Sequence, residues 1–324
     1  MRKIIKENLF FLISVILILL LFNIKLPYYV DAPGGTININ NRIEYIGKKT
    51  NKGSLNMLYV TEYVASIPTY LLSYIIKDWD LESIEESRIS NETPKEIEYR
   101  NKIMLENSIN TAKYAAYQEA GKKIEETERK IVVIGVTEEN GLKIGDEILS
   151  IDNKDITNLN DIRKELQTHN IGDTIKVKIN RNGKIKEKVV EIKEQNKTKV
   201  LGVLIVTNSK YKTNPEIKLK FKSSESGPSG GLMIALSIYS AISGEDLLKG
   251  RNIAGTGTIE SDGTVGEIAG IKYKIMGAHK KNMDIVLVPS GNYKEALKVA
   301  KEKKYKMKIV EVKTLKDAIN YLQK

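Results

Sequence analysis

Residues 226–232 read Ser-Gly-Pro-Ser-Gly-Gly-Leu and join an extended run, residues 218–222, to an apolar stretch, residues 232–242. The glycines allow a tight turn and the close approach of another backbone. Ser229 is then expected at the start of a helix, where free N–H groups face any negative charge that develops on a bound group. The more usual role of a serine before a helix is the N-cap, so this stretch alone leaves both roles open.

A second glycine-bounded entry to a helix lies about 45 positions later, at residues 266–278. Lys274 falls in the first turns of that helix, beside apolar positions. A lysine against an apolar face loses water, which lowers its pKa, and the neutral amine can then take the proton of a serine hydroxyl. Lys272 competes for the same role and most helical lysines are solvated, so spacing alone does not select Lys274.

The amino-acid composition limits the kinds of catalytic and metal site that the chain can contain. Its 324 residues suffice for two modest domains. Cysteine is absent, which excludes disulfides, a thiolate nucleophile and cysteine metal sites. The two histidines, His169 and His279, disfavour a multi-histidine metal site, and a Ser-His-Asp enzyme would need one of them. No metal ion and no cofactor are expected.

The net charge of +11 arises from 52 basic and 41 acidic residues. The lysines are spread along the chain, without the basic patch or recognisable module of a nucleic-acid-binding protein. Nucleic acid is therefore not an expected partner, and we interpret the lysines as solvated faces with a weak attraction to anionic membranes.

Residues 9–22 are continuously apolar, and with Ile24 and Leu26 they approach the length that spans a bilayer. Three basic residues precede them and favour an N-terminus inside the cell, with the rest of the chain outside. A cleaved signal peptide is the alternative, but no A-x-A-like site follows the apolar core. The sequence thus predicts a single-pass cell-membrane anchor with an extracytoplasmic catalytic part, and residues 26–35 as a juxtamembrane connector.

Residues 131–192 have the alternation and turns of a compact β-rich unit with one short helix, 159–167, capped by Asn158. Gly-Leu-Lys-Ile-Gly-Asp-Glu-Ile-Leu at 141–149, Ile-Asp-Asn-Lys at 151–154 and the following hairpin resemble a PDZ domain. The resemblance implies strand addition by extended chain ends, with the carboxylate-holding loop before Val132. A PDZ unit that only packs against its neighbour remains the alternative.

The remaining segments, 36–125 and 196–324, alternate predicted strands with helices, including helices at 67–76 and 94–120. This pattern is typical of an α/β or α+β domain.

The blocks around Ser229 and Lys274 together resemble the Lon-type proteolytic domain, a family that uses a serine–lysine dyad. The resemblance implies that Ser229 is the nucleophile and Lys274 the base. It also implies that Thr256, in Gly-Thr-Gly at 255–257, holds that lysine. The overall order resembles membrane-anchored, PDZ-containing Lon-like proteases, an α+β fold with the PDZ domain inserted. Ala269 and Ser226 depart from the pattern of the family.

No G-x-x-x-x-G-K-[ST] phosphate loop occurs in the sequence, so ATP-independent action on accessible segments is expected. The implied domains are 1–25, the cytoplasmic tip and anchor; 26–127, linker and first part of the proteolytic domain; 128–195, PDZ; and 196–324, the rest of the proteolytic domain. The expected function is a serine endopeptidase acting on extracytoplasmic peptides or proteins. A tethered PDZ peptide-binding protein with an inert protease fold is the alternative, and a homo-oligomer is left open.

Overall fold

The computed structural model describes residues 8–45, 52–222 and 224–324, which form a mixed α/β structure built on two sheets. The helices are α1 Leu9–Asn23, α2 Ile67–Ser73, α3 Ile84–Ser87, α4 Pro94–Glu119, α5 Leu159–Gln167, α6 Gly231–Ser243, α7 Ile271–Lys280, α8 Ser290–Glu302 and α9 Leu315–Gln323. The strands are β1 Lys25–Asn38, β2 Ile43–Tyr45, β3 Ser54–Ser66, β4 Asp80–Ser83, β5 Lys123–Val136, β6 Glu147–Ile151, β7 Lys154–Asp155, β8 Thr174–Arg181, β9 Lys184–Glu191, β10 Lys193–Gln195, β11 Thr198–Val200, β12 Val203–Asn214, β13 Ile217–Leu219, β14 Asn252–Gly255, β15 Thr258–Ile259, β16 Val265–Gly266, β17 Ile285–Pro289 and β18 Lys308–Val312.

The two main sheets have six strands each. The mixed sheet has the strand order β18-β17-β14-β3-β1-β4. Strands β18, β17, β14 and β3 run parallel to one another, while β1 lies antiparallel between β3 and β4. Strand β17 is buried at every residue, as expected of a central parallel strand covered on both faces. Helix α6, buried along most of its length, packs in the main core against this sheet. The sheet thereby joins residues before the β-rich unit to residues after it.

The connector predicted at residues 26–35 is instead part of β1, so that prediction is wrong. Val30 is fully buried and Tyr29 nearly so, because this stretch pairs with β3 on one side and β4 on the other. A register shift between Ala32 and Gly35 accommodates Pro33.

Helix α1 has 15 residues, none of them buried. It ends at Asn23, and Ile24 and Leu26, which the sequence prediction counted in the span, lie beyond it. In residues 8–45, 52–222 and 224–324, no helix combines the length and the apolar character needed to cross a membrane. The predicted transmembrane helix is therefore not confirmed.

The antiparallel sheet has the order β12-β5-β6-β8-β9, with β7 beside β6. One face of it encloses a separate core with α5. Asn158 caps α5 as predicted, since its side-chain oxygen accepts from the N–H groups of Asn160 and Asp161 at 2.9 and 3.2 Å. The sheet extends past the predicted boundary of this unit, because β12 pairs with β5 along its whole length.

The prediction of a carboxylate-holding loop before Val132 is also wrong. Residues 125–130 form the first half of β5, which lies between β12 and β6. Their charged side chains pair along a two-stranded ribbon, as Glu128 does with Lys210 over 2.8 Å. The loop was expected from the PDZ resemblance, whereas residues 125–130 are charged and show no glycine-rich signature.

Helix α4 lies between the two parts of the molecule. Thr93 and Glu96 form a capping box at its start, and Pro94 occupies the first turn, where its missing N–H costs nothing. Ile103 packs against Val132 and Ile134 of the antiparallel sheet, whereas Ala112 and Ala116 belong to the main core. One helix therefore contacts both the β-rich unit and the sheet that supports the candidate site.

Candidate active site

Ser229 lies in the turn that leads into helix α6. The N-cap of that helix is Gly230, and no side chain caps it. The N-cap alternative for Ser229 is therefore wrong, and its hydroxyl is not committed to the helix. A Cβ atom at Gly231 would lie 2.8 Å from Ile259 Cγ2 and 2.9 Å from Ser108 Oγ. Only glycine permits this approach, which explains the second glycine of the pair.

Lys274 lies in α7, and only 3% of the residue is exposed. Neighbouring positions of the helix, Ile271 and Ile275, belong to a core formed with Val286 and other residues of the mixed sheet. Burial disfavours the charged ammonium and lowers the pKa of Lys274 from 10.5 to about 8. A substantial fraction of this lysine is thus neutral at mildly alkaline pH.

Thr256 connects the two segments. It is fully buried at the end of β14, where its N–H donates to the carbonyl of Leu287 over 3.1 Å. Lys274 Nζ donates to Thr256 Oγ1 over 3.2 Å, and Thr256 Oγ1 donates to the backbone carbonyl of Ser229 over 3.0 Å. A hydroxyl has one donor and can accept as well. The threonine therefore ties the lysine amine to the serine backbone.

The structure brings the three predicted residues together without a direct Ser229–Lys274 hydrogen bond. The Ser229 carbonyl is held twice, by Thr256 Oγ1 and by the N–H of Gly257 at 2.8 Å. Throughout the described ranges, no oxygen accepts a hydrogen bond from the N–H of Ser229 or Gly230. Two unpaired N–H groups at a helix start, beside a half-buried hydroxyl, form a site for a negatively charged oxygen.

A cavity of about 600 Å³ opens beside Ser229. Strands β1 and β3 form one wall and the turn before α6 forms the other, and the residues that line it include Thr36, Asn38, Met57, Tyr59, Lys222 and Ser226. Arg42 pairs with Glu225, whose carboxylate also accepts from the N–H of Lys222 at 2.7 Å. This ion pair fixes the turn over the cavity, so the space beside Ser229 has a defined shape.

Sequence reasoning missed the support that α4 gives to the nucleophile turn. Ser108 Oγ donates to the carbonyl of Pro228 over 3.1 Å, and the N–H of Gly227 donates to the carbonyl of Asn101 over 2.9 Å. Asn110, on the same helix, donates to Asn208 of β12 over 3.1 Å. The available signal was polar residues, Ser108 and Asn110, between the apolar positions of a predicted helix.

The other candidates lie elsewhere. Lys272 pairs with Asp80 near the surface, away from Thr256. His279 stacks on Tyr305 with ring centroids 3.8 Å apart, in keeping with the structural role expected for it. His169 lies in the β-rich unit, at the end of α5.

Comparison with solved structures finds PDZ domains that match about a quarter of this chain. The PDZ domain of an SdrC-like protein from Listeria monocytogenes is 19% identical, with a TM-score of 0.23, over 25% of this chain and 93% of that domain. Its counterpart from Listeria innocua is 24% identical, with a TM-score of 0.22, over 24% of this chain and 92% of that domain.

Comparison with curated proteins finds Lon proteases. The Lon protease of Neorickettsia sennetsu is 35% identical over 98 residues, which are 30% of this chain and 12% of that protein. Lon protease 2 of Borreliella burgdorferi is 32% identical over 118 residues, 36% of this chain and 15% of that protein. The matched segment is thus a small part of these relatives.

The profile of the Lon protease (S16) C-terminal proteolytic domain matches residues 110–323. This span contains Ser229, Thr256 and Lys274, and it covers well over half of the chain. The chain belongs to the family of the Lon protease (S16) C-terminal proteolytic domain.

Proposed function

We propose that this chain is an ATP-independent serine endopeptidase in which Ser229 is the nucleophile, Lys274 the general base and Thr256 the residue that orients the lysine. The observation that supports it most is the buried amine of Lys274. Its pKa is lowered to about 8, and one of its N–H groups is committed to Thr256. A neutral amine keeps one lone pair, which is then free to accept the proton of Ser229.

The reaction that fits this site is acyl transfer. Lys274 takes the proton of Ser229, whose oxygen attacks the peptide carbonyl and forms a tetrahedral intermediate. The N–H groups of Ser229 and Gly230 stabilise the oxyanion. Lys274 returns its proton to the leaving amine, and water then releases the acyl group. A serine–lysine hydrogen bond that is absent without substrate commonly forms only in the substrate complex.

The cavity suggests how a substrate is held. Residues 57–60 of β3 line it as extended backbone, so a peptide lying beside them would reach Ser229 in an extended form. Such a site takes unfolded segments or flexible ends, in agreement with the absence of a phosphate loop in the sequence.

The experiment is cleavage of an unfolded protein and a mixed peptide pool by the full chain, without ATP, followed by mass spectrometry. Ser229→Ala and Lys274→Ala should each abolish cleavage, whereas Lys272→Ala, two positions away, should retain it. Cleavage that survives both dyad substitutions would refute the assignment. If the wild type and all variants are folded but none cleaves any substrate, the result would favour the inert peptide-binding alternative.

For the β-rich unit we propose a PDZ-type groove between β12 and α5. Strand β12 is at the edge of its sheet, and Gly202, with φ of 67°, forms the turn directly before it. An edge strand that follows such a turn offers unpaired backbone groups to an added peptide. Fluorescence anisotropy with the full-length Ser229→Ala protein tests this, because a free C-terminus should bind and its amidated form should not. Equal binding of both forms would contradict end capture.

Membrane anchoring and an extracytoplasmic catalytic part remain proposals. Anchoring is supported by α1, whose apolar side chains are exposed, among them Phe10 at 85% and Phe11 at 65%, and the orientation by the three basic residues that precede the apolar stretch. A helix that is apolar on every side in water is costly unless lipid or protein covers it. Carbonate extraction of membranes and protease accessibility in intact cells test both points. Release of the protein by carbonate would contradict anchoring. Resistance of the protein to a protease added outside intact cells would contradict the extracytoplasmic location.

A further inference from the structure

Three metal-ligating side chains meet in the β-rich unit, remote in sequence from the dyad. Glu165 lies near the end of α5, and His169 follows that helix four positions later. Asp152 lies in the turn between β6 and β7. One ligand atom of each lies within 4.8 Å of the other two. His169 Nε2 is 3.4 Å from Asp152 Oδ2 and 3.6 Å from Glu165 Oε1.

The buried imidazole nitrogen faces the two carboxylates. His169 Nε2 makes no hydrogen bond to any of the described residues, although Asp152 and Glu165 lie at ion-pair distance from it. Buried polar nitrogens are hydrogen-bonded in the great majority of cases. A cation bound among the imidazole nitrogen and the two carboxylates would satisfy all three groups.

The carboxylates are oriented by contacts outside the cluster. Asp152 Oδ1 accepts from the N–H of Lys176 over 2.8 Å, which leaves Oδ2 facing His169. The Glu165 side chain is only 8% exposed, so its oxygens are directed inward. Such outer contacts are the supports that fix ligands at metal sites.

One cation already lies beside the cluster. Lys154 Nζ donates to Glu165 Oε1 and Oε2 over 2.9 and 2.7 Å, while its own side chain is 63% exposed. An exposed ammonium group is free to leave into water, so it offsets the charge of Glu165 without closing the site.

We propose that Asp152, Glu165 and His169 bind one Zn²⁺ ion. One imidazole nitrogen with two carboxylate oxygens is a donor set that Zn²⁺ accepts, and bonds of about 2.0–2.2 Å in a tetrahedron place ligand atoms about 3.4 Å apart. The two separations measured from Nε2 match this value. Water completes the fourth position. The ion joins the end of α5 to the β6–β7 turn, and this inference is independent of the proposed proteolysis.

The test is equilibrium dialysis of the full chain, stripped with a chelator, against Zn²⁺, with the visible spectrum of Co²⁺ as a report on tetrahedral coordination. We expect one ion per chain and a loss of affinity of at least about a hundredfold in His169→Ala. His279→Ala removes the other histidine of the chain and should bind as the wild type does. Asp152→Asn, which retains the shape of the side chain, provides a second ligand variant whose circular dichroism can be matched.

The Lys154→Ala variant distinguishes a metal site from a purely structural ion pair. Removal of the competing ammonium should tighten Zn²⁺ binding about tenfold, opposite in sign to the ligand variants. The proposal is overturned if the wild type shows no saturable binding, if His169→Ala binds as the wild type does, or if Lys154→Ala binds no more tightly.

Discussion

The hydroxyl of Ser108 donates a hydrogen bond to the carbonyl oxygen of Pro228 over 3.1 Å, and so attaches α4 to the residue before the proposed nucleophile. The carbonyl of Asn101, two turns earlier on the helix, accepts from the N–H of Gly227. The turn that presents Ser229 is thus supported from a helix that precedes it by more than a hundred residues. Helix α4 also packs on the β-rich unit, so the two parts of the molecule share this support.

Ser108→Ala should lower kcat roughly tenfold and leave KM nearly unchanged, because a small displacement of a nucleophile lowers the rate more than binding. The loss of one hydrogen bond should reduce the free energy of unfolding by about 1 kcal/mol. Peptide cleavage and urea denaturation measure the two effects. Glu106→Ala, on the exposed side of the same helix, is the matched control. Full activity of Ser108→Ala would show that the bond does not position Ser229.

The pH profile of cleavage should report Lys274. Its burial lowers its pKa to about 8, and only the neutral amine accepts a proton. We therefore expect kcat/KM to rise with pH through a midpoint near 8, well below the ordinary value for lysine. Thr256→Ser, which keeps the hydroxyl, should retain the midpoint, whereas Thr256→Ala should lower the rate. A rate that does not change between pH 6.5 and 9.5 would exclude Lys274 as the base.

Lys274→Met should abolish cleavage and stabilise the fold at pH 7. Below pH 8 the buried ammonium group lowers the free energy of unfolding. This destabilisation decreases as pH rises from 8 towards 10.5, where the unfolded chain also loses the proton. Replacement by an apolar side chain of similar size should raise the free energy of unfolding by about 3 kcal/mol at pH 7. Urea denaturation at pH 7 and pH 10 tests the sign, since the gain should shrink at pH 10. An equal gain at both values would contradict burial of the charge as its cause.

Asp31→Asn should stabilise the protein more at alkaline than at acid pH. Burial, and then the charges of Glu62, Glu82 and Asp80, raise the pKa of Asp31 to about 7. The unfolded carboxyl ionises near 4, so this group lowers stability progressively as pH rises from about 4 to 7. Asparagine carries no charge at any of these values.

Thermal melting of Asp31→Asn at pH 5 and pH 8 measures that difference. Glu86→Gln, on an exposed carboxylate of α3, serves as the control for the loss of one negative charge. An effect of Asp31→Asn that is the same at both values would mean that the carboxyl titrates normally.

Some local elements were predictable because their signals are local. Helix α5 begins and ends where the sequence pattern places it, and Lys274 lies against an apolar face as its neighbours indicated. The contact of Lys274 with Thr256 followed only from the family resemblance, since no spacing joins residues 18 apart on a helix and a strand end.

Features that depend on distant pairing were not predictable. Residues 26–35 suggested a connector because two prolines oppose a helix, yet pairing with β3 and β4 on either side makes them a strand. The PDZ resemblance implied a loop before Val132, and residues 125–130 carry no local sign of their pairing with β12, about 80 positions away. Ser108 stands out as polar within its helix, but nothing nearby indicates that its partner is Pro228, 120 positions on.

Parallel pairing of β3 with β14 has a consequence for folding during synthesis. Ser54 and Asn252, at the start of this pairing, are 198 positions apart. At about 5–20 residues per second, a ribosome takes roughly 10–40 s to supply the second strand after the first. The β-rich unit, which lies between these two strands in the sequence, is translated in that interval and is free to fold first. A nascent chain therefore holds no assembled dyad until Lys274 has followed Ser229, 45 positions later, and the proposed peptidase is inactive until then.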